Sequence, residues 1–114
     1  MIINPGNAEH YTWGDNCDGW HLLKEDGISV IQERMPPGTE EVYHYHENAR
    51  QLFHILSGKA TFIVDRKTVE VSKGDSLHIH PGTAHKIINR TDEDITFLVI
   101  SNPPSHGDRV MVEL

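Results

Sequence analysis

No stretch of ten or more residues in this chain repeats its apolar residues at the 3.6-residue spacing of a helix, which constrains the fold more than any other feature. Turn signals cut the chain into short runs. From Gly27, Ile-Ser-Val-Ile-Gln-Glu-Arg-Met is a run rich in β-branched residues, closed by Pro36-Pro37-Gly38. Further strands are expected over 41–46, 51–56, 59–64, 67–71, 76–80, 85–89 and 94–101, with Asp65-Arg66 as a hairpin turn. Short strands recurring about every 8 to 12 residues, with turns between them, predict an all-β sandwich or barrel. Residues 1–26 are rich in Gly, Asn and Asp yet carry Trp13 and Trp20. They are read as an irregular N-terminal arm that packs its indoles onto a barrel domain spanning 27–114.

With 114 residues the chain fits one domain. A domain of that size buries roughly two-thirds of its unfolded surface, enough for a core without disulfides. Cys17 is the single cysteine, and Met1-Ile-Ile-Asn-Pro-Gly lacks the basic and apolar regions of a signal peptide, so a cytoplasmic, reducing location is expected. No apolar run approaches the roughly 18 residues of a membrane span. A formal charge of −7 argues against nucleic acid or an anionic membrane as partner.

Six of the nine histidines lie between His44 and His85. In a strand, residues i and i+2 share a face about two rises of roughly 3.3 Å apart, so His44 and His46 can chelate one ion. That pair supplies half a metal site. Gln51 and His85 sit in apolar, strand-like sequence able to bring two further donors to it.

Gly38-Thr-Glu-Glu-Val-Tyr-His44-Tyr-His46-Glu-Asn-Ala-Arg-Gln51-Leu-Phe-His-Ile-Leu-Ser-Gly58 resembles the first cupin motif, G-x5-H-x-H-x3,4-E-x6-G. Gly74-Asp-Ser-Leu-His-Ile-His80-Pro-Gly82-Thr-Ala-His85-Lys-Ile-Ile-Asn89 resembles the second, G-x5-P-x-G-x2-H-x3-N. Gln51 stands where the family has a glutamate ligand, and His80 where it has proline. The resemblance implies a single cupin β-barrel of jelly-roll type. It also implies one divalent ion (Fe, Mn, Ni, Cu or Zn) held by His44, His46, Gln51 and His85. Three neutral imidazoles and an amide leave the ion's charge uncompensated, which favours anionic ligands and acidifies bound water. The exchange at Gln51 also removes a carboxylate that could act as a base. The family's fold hosts many functions, so three classes stay open. These are a dioxygenase-type enzyme, a metal-dependent isomerase, epimerase or lyase, and a non-enzymatic module binding a small ligand.

If Gln51 points inward, alternation sends Phe53 and Ile55 inward and Leu52, His54 and Leu56 outward. Leu77 and Ile79 are the inward choices of their strand, leaving His78 and His80 outside. Phe53, Ile55, Leu77, Ile79 and Ile87 are the expected apolar pocket wall for a small organic molecule. Over 28–35 either Gln32 and Arg34, or Ile31, Glu33 and Met35, face inward; the sequence does not choose. Glu40, Glu41 and Glu47 are read as solvated loop charges. The apolar outer face around Leu52 and Leu56 predicts a homodimer, which the cupin resemblance also implies.

Overall fold

The computed structural model describes residues 1–105 and 107–114. Among the described residues, eleven strands form two antiparallel sheets packed face to face, a jelly roll whose sheets are not closed by hydrogen bonds. The strands are β1 (Glu9–Trp13), β2 (Cys17–Lys24), β3 (Ser29–Met35), β4 (His44–His46), β5 (Arg50–Ser57) and β6 (Lys59–Val64). They continue with β7 (Lys67–Ser72), β8 (Ser76–Ile79), β9 (His85–Ile88), β10 (Ile95–Asn102) and β11 (Arg109–Met111). One sheet runs β1-β2-β3-β10-β5-β8 and the other β11-β4-β9-β6-β7. Among the described residues no helix is long and apolar enough to cross a membrane.

Alternation builds the core. On β5, Gln51, Phe53 and Ile55 are buried while Leu52, His54 and Leu56 are half-buried on the opposite face. Phe53 meets Phe62 of β6 edge-on at 5.0 Å and Phe97 of β10 at 6.1 Å, so aromatic side chains from both sheets fill the space between them. Asp65 and Arg66 both take positive φ, 49° and 66°, between the paired ends Val64 and Lys67. That turn matches the twist of the strands it joins. Asn89 ends the second motif as a buried plug. Its Nδ2 donates to the carbonyls of Met35 and Glu93, and its Oδ1 accepts from the N–H and hydroxyl of Thr91.

The N-terminal segment corrects the sequence reading. Residues 9–24 are not irregular but form the β1–β2 hairpin, which extends the larger sheet beside β3. Their Gly, Asn and Asp are concentrated in the turn Gly14-Asp15-Asn16, where Gly14 and Asn16 take positive φ. Gly19 has a different task, because a Cβ there would lie 2.2 Å from Cζ of Tyr11. Its bare backbone lets the Tyr11 ring lie across β2. Trp13 packs against the core, whereas Trp20 faces outward beside His10.

On β3 the structure chooses the register the sequence left open. Ser29 and Met35 are buried, and Ile31 and Glu33 face the interior with them. Arg34 faces outward, bound to Asp18 at 2.7 Å and Asp94 at 3.0 Å.

Candidate metal centre and cavity

His44 and His46 lie on the same face of β4, and both are buried. β4 pairs with β9 through His44 and His85, which brings the third imidazole alongside. Ring centroids are 4.5 Å apart for His44 and His85, 4.9 Å for His44 and His46, and 5.9 Å for His46 and His85. One nitrogen from each ring lies within 4.8 Å of the others. The turn before β9 is tied to the same strand by the Gly82 N–H, which donates to the His46 carbonyl at 2.7 Å.

Backbone carbonyls set the tautomers. Nδ1 of His44 donates to the Val42 carbonyl at 2.8 Å, and Nδ1 of His85 to the Thr83 carbonyl at 2.9 Å. A carbonyl only accepts, so each Nδ1 carries the proton and each Nε2 keeps a free lone pair. Burial pushes His44 down to about 3 and His85 to about 4, and lowers His46 as well. All three are therefore neutral at physiological pH, the form that ligates metals.

Gln51 comes from the other sheet, is 5 % exposed and lines the same cavity as His44 and His46. Its Nε2 donates to Ser101 Oγ at 3.1 Å, while its Oε1, like His85 Nε2 and His46 Nδ1, is buried with no hydrogen-bond partner among the described residues. Leaving a buried polar atom unpaired costs about 1–3 kcal/mol. The three imidazoles, each with one nitrogen within 4.8 Å of the others, fit a donor set for a divalent ion.

Beside the cluster opens a cavity of about 600 Å³, walled by the β1–β2 hairpin, β3, β4, β5 and the segment leading into β11. Its apolar wall differs from the expected one. Phe53 lines it, together with Trp13, Ile31 and Val99, but Ile55, Ile79 and Ile87 are sealed in the core and Leu77 packs against that core. These side chains do face inward, at a depth already filled by Phe62, Phe97 and Ile95.

The cavity also holds charges. Glu33, in one of the two registers the sequence left open, and Glu41, read there as solvated, both line it, with Arg109, which the sequence did not single out, at their side. Glu41 is therefore not a solvated loop charge: its Oε1 accepts the Ile87 N–H at 3.3 Å. Burial raises Glu33 to about 7, opposed by the Tyr11 hydroxyl and Arg109. Glu41 rises to about 8 through burial and repulsion from Glu33. A signal for Glu33 was present in the sequence, since Ile31 and Met35 share its face of β3. Arg109 carried none, because β11 is too short to show alternation.

Among the described residues the other histidines lie outside the cluster. His54 Nδ1 is 2.8 Å from Ser76 Oγ on the outer face, and the His78 and His80 rings lie tilted with centroids 4.2 Å apart, both exposed. Glu40 is paired with Lys86, and Glu47 is exposed.

A family profile described as the cupin domain matches residues 31–101. The chain belongs to the cupin family. This cupin is 31% identical over 85 residues to the oxalate-binding protein of Thermotoga maritima, covering 70% of each chain. It is 33% identical over 108 residues to the quercetin 2,3-dioxygenase of Bacillus subtilis, covering 86% of this chain but only 29% of that enzyme. The polyketide cyclase RemF from Streptomyces resistomycificus superposes with a TM-score of 0.85 over 100% of this chain and 86% of its own. At 16% identity that likeness concerns the fold alone.

Proposed function

We propose that this cupin binds one divalent metal ion through His44, His46, His85 and the Gln51 carbonyl, and acts on a small oxygen-rich organic molecule as a dioxygenase-type enzyme. The observation that carries this reading is the set of buried, neutral imidazoles, two with tautomers fixed by carbonyls, and the unpaired Oε1 of Gln51 supports it. When bound, the ion supplies Lewis acidity and, if it is iron, copper, nickel or manganese, redox chemistry with dioxygen. The chain holds the donors in place before any ion arrives, because two of the three rings are already fixed by the backbone. An all-neutral donor set leaves positive charge at the cavity wall, which favours an anionic oxygen ligand. The oxalate-binding and quercetin-oxidising relatives support a ligand rich in oxygen.

A second reading, a metal-dependent isomerase, epimerase or lyase, is favoured by Glu33 and Glu41, whose raised pKa values suit proton transfer near neutrality. Phosphorylated sugars are less well served. Arg34 is engaged on the outer face and Lys86 is held by Glu40.

Metal analysis of protein purified without added metal or an affinity tag, followed by oxygen uptake on diketones, thiols and phenols, tests the proposal. Wild type is expected to carry close to one ion per chain and to lose it in the His44→Ala/His46→Ala double variant. Ion at about 100 times its dissociation constant should stabilise the fold by roughly 2.7 kcal/mol. Equal metal content in both proteins rules out the site. Uptake on none of the panel, with metal bound, shifts the reading to the isomerase or lyase class.

A further inference from the structure

Gln51 stands where other cupins carry a glutamate, so the metal cluster has no carboxylate of its own. The same cavity supplies two from elsewhere. Glu33 comes from β3 and Glu41 from the segment before β4, close enough to repel one another, and Gln51 lines the same cavity.

We propose that Glu33 and Glu41 are the proton-transfer pair of this cavity and that their substrate is a small carbonyl compound with an enolisable C–H bond. The proposal rests on the reading of the cavity as a small-molecule site. Glu33 is the base: its carboxylate accepts the Tyr11 hydroxyl at 3.2 Å, a bond that stabilises the charged form. Glu41 is the acid, because its own burial and then the neighbouring Glu33 charge keep it protonated. In the forward step the ligand C–H bond breaks and its proton passes to Glu33, while the electron pair forms the enol double bond. The Glu41 O–H bond breaks and its proton passes to the carbonyl oxygen, leaving the O–H electron pair on Glu41. One proton is held by the pair before and after the step, and the ligand leaves as its enol tautomer or is reprotonated on carbon with a proton from solvent.

The surrounding charges leave this assignment intact. From β1 and β2, Glu9 and Lys24 lie 3.7 Å apart and offset one another, and His21 adds a half-buried imidazole 4.0 Å from Glu9. From β11, Arg109 lowers both acids, yet burial outweighs it at each. Burial also raises Tyr11, so it remains a phenol that donates and does not itself take the proton. Tyr11 is thus a positioning residue.

Two readouts test the pair. In metal-free protein, carbon-13 NMR titration of the glutamate carboxyls should show two midpoints near neutrality. Tyr11→Phe should raise the Glu33 midpoint, and Glu33→Gln should lower that of Glu41. In zinc-loaded protein, exchange of deuterium from solvent into hydroxyacetone and pyruvate should be accelerated, and Glu33→Gln should lose about 100-fold or more of that rate with zinc content unchanged. Glu33 and Glu41 titrating in the ordinary carboxylate range, near 4.5, would overturn the proposal. So would a Glu33→Gln variant that exchanges as fast as wild type, or a zinc-loaded wild type that exchanges neither probe. Raised midpoints in a protein that retains no zinc would instead support the pair and overturn the metal site.

Discussion

The Tyr11 hydroxyl reaches Glu33 Oε2, 3.2 Å away and two strands across the sheet, by lying over Gly19. The register explains it: Tyr11 pairs with Gly19, and Gly19 in turn pairs with Glu33, so the three residues form one cross-strand row. A side chain at the middle position would lift the ring off the sheet. Gly19→Ala is expected to cost about 1–3 kcal/mol through overpacking and to break the Tyr11–Glu33 bond. Tyr11→Phe removes only the hydroxyl, costing about 1 kcal/mol. Urea denaturation of both variants measures the two costs. A Gly19→Ala variant as stable as wild type would mean that the ring has an easy alternative position.

What was legible in the sequence follows from the period-2 rule. Alternation along 51–56 separates Gln51, Phe53 and Ile55 from Leu52, His54 and Leu56, as the burial of β5 does. Alternation gives the face but not the depth. Ile55, Ile79 and Ile87 face inward at a level that Phe62 and Phe97 fill, whereas the cavity opens toward the β1–β2 hairpin. That hairpin was hidden because Gly19 interrupts its apolar pattern and its partner Tyr11 reads as an isolated aromatic. Glu41 was hidden for another reason. Alternation counted back from an inward His44 puts Glu41 on the outer face, but β4 begins only at His44, and the backbone pairing of Glu41 with Ile87 turns it into the fold.

Replacing Gln51 with glutamate adds one negative charge at nearly constant shape. The present amide contributes no charge, so Gln51→Glu should tighten divalent metal binding and weaken any anionic ligand competing for the same ion. Titration against a competing chelator measures the first effect, and oxalate as a probe anion the second. Unchanged affinities for both would place Gln51 outside the donor set, leaving its Oε1 unexplained.

Stability of the metal-free protein should depend on pH through two opposing groups. His44, His46 and His85 have folded pKa values below that of the unfolded chain, so they destabilise the fold as pH falls below about 6.5. Glu33 and Glu41 are shifted upward. They contribute stability that is fully present below the unfolded value of 4.5 and is lost as pH rises through about 7 and about 8. Below pH 6.5 the two sets offset one another, and above it only the carboxyls act. Urea midpoints should therefore fall between pH 6.5 and 8, and a Glu33→Gln/Glu41→Gln double variant should flatten that limb. A wild-type midpoint that rises across this window would contradict the upward shift of the two carboxyls.

The larger sheet turns an apolar row to the outside. Ile100 pairs with Val30 on one side and Leu52 on the other, and Leu98 lies beside His54 in the next row. All five are half-buried in the isolated chain, and Leu56 continues the patch. A second copy of the chain is the expected partner, meeting this face about a two-fold axis so that each substitution acts twice. Leu52→Asp puts two charges into such an interface without touching the core, since Leu52 points away from Phe53 and the cavity. Sedimentation at micromolar concentration should show a wild-type dimer and a Leu52→Asp monomer of unchanged folding stability. A wild-type monomer at that concentration would remove the interface, and a dimer that survives Leu52→Asp would place it on another face.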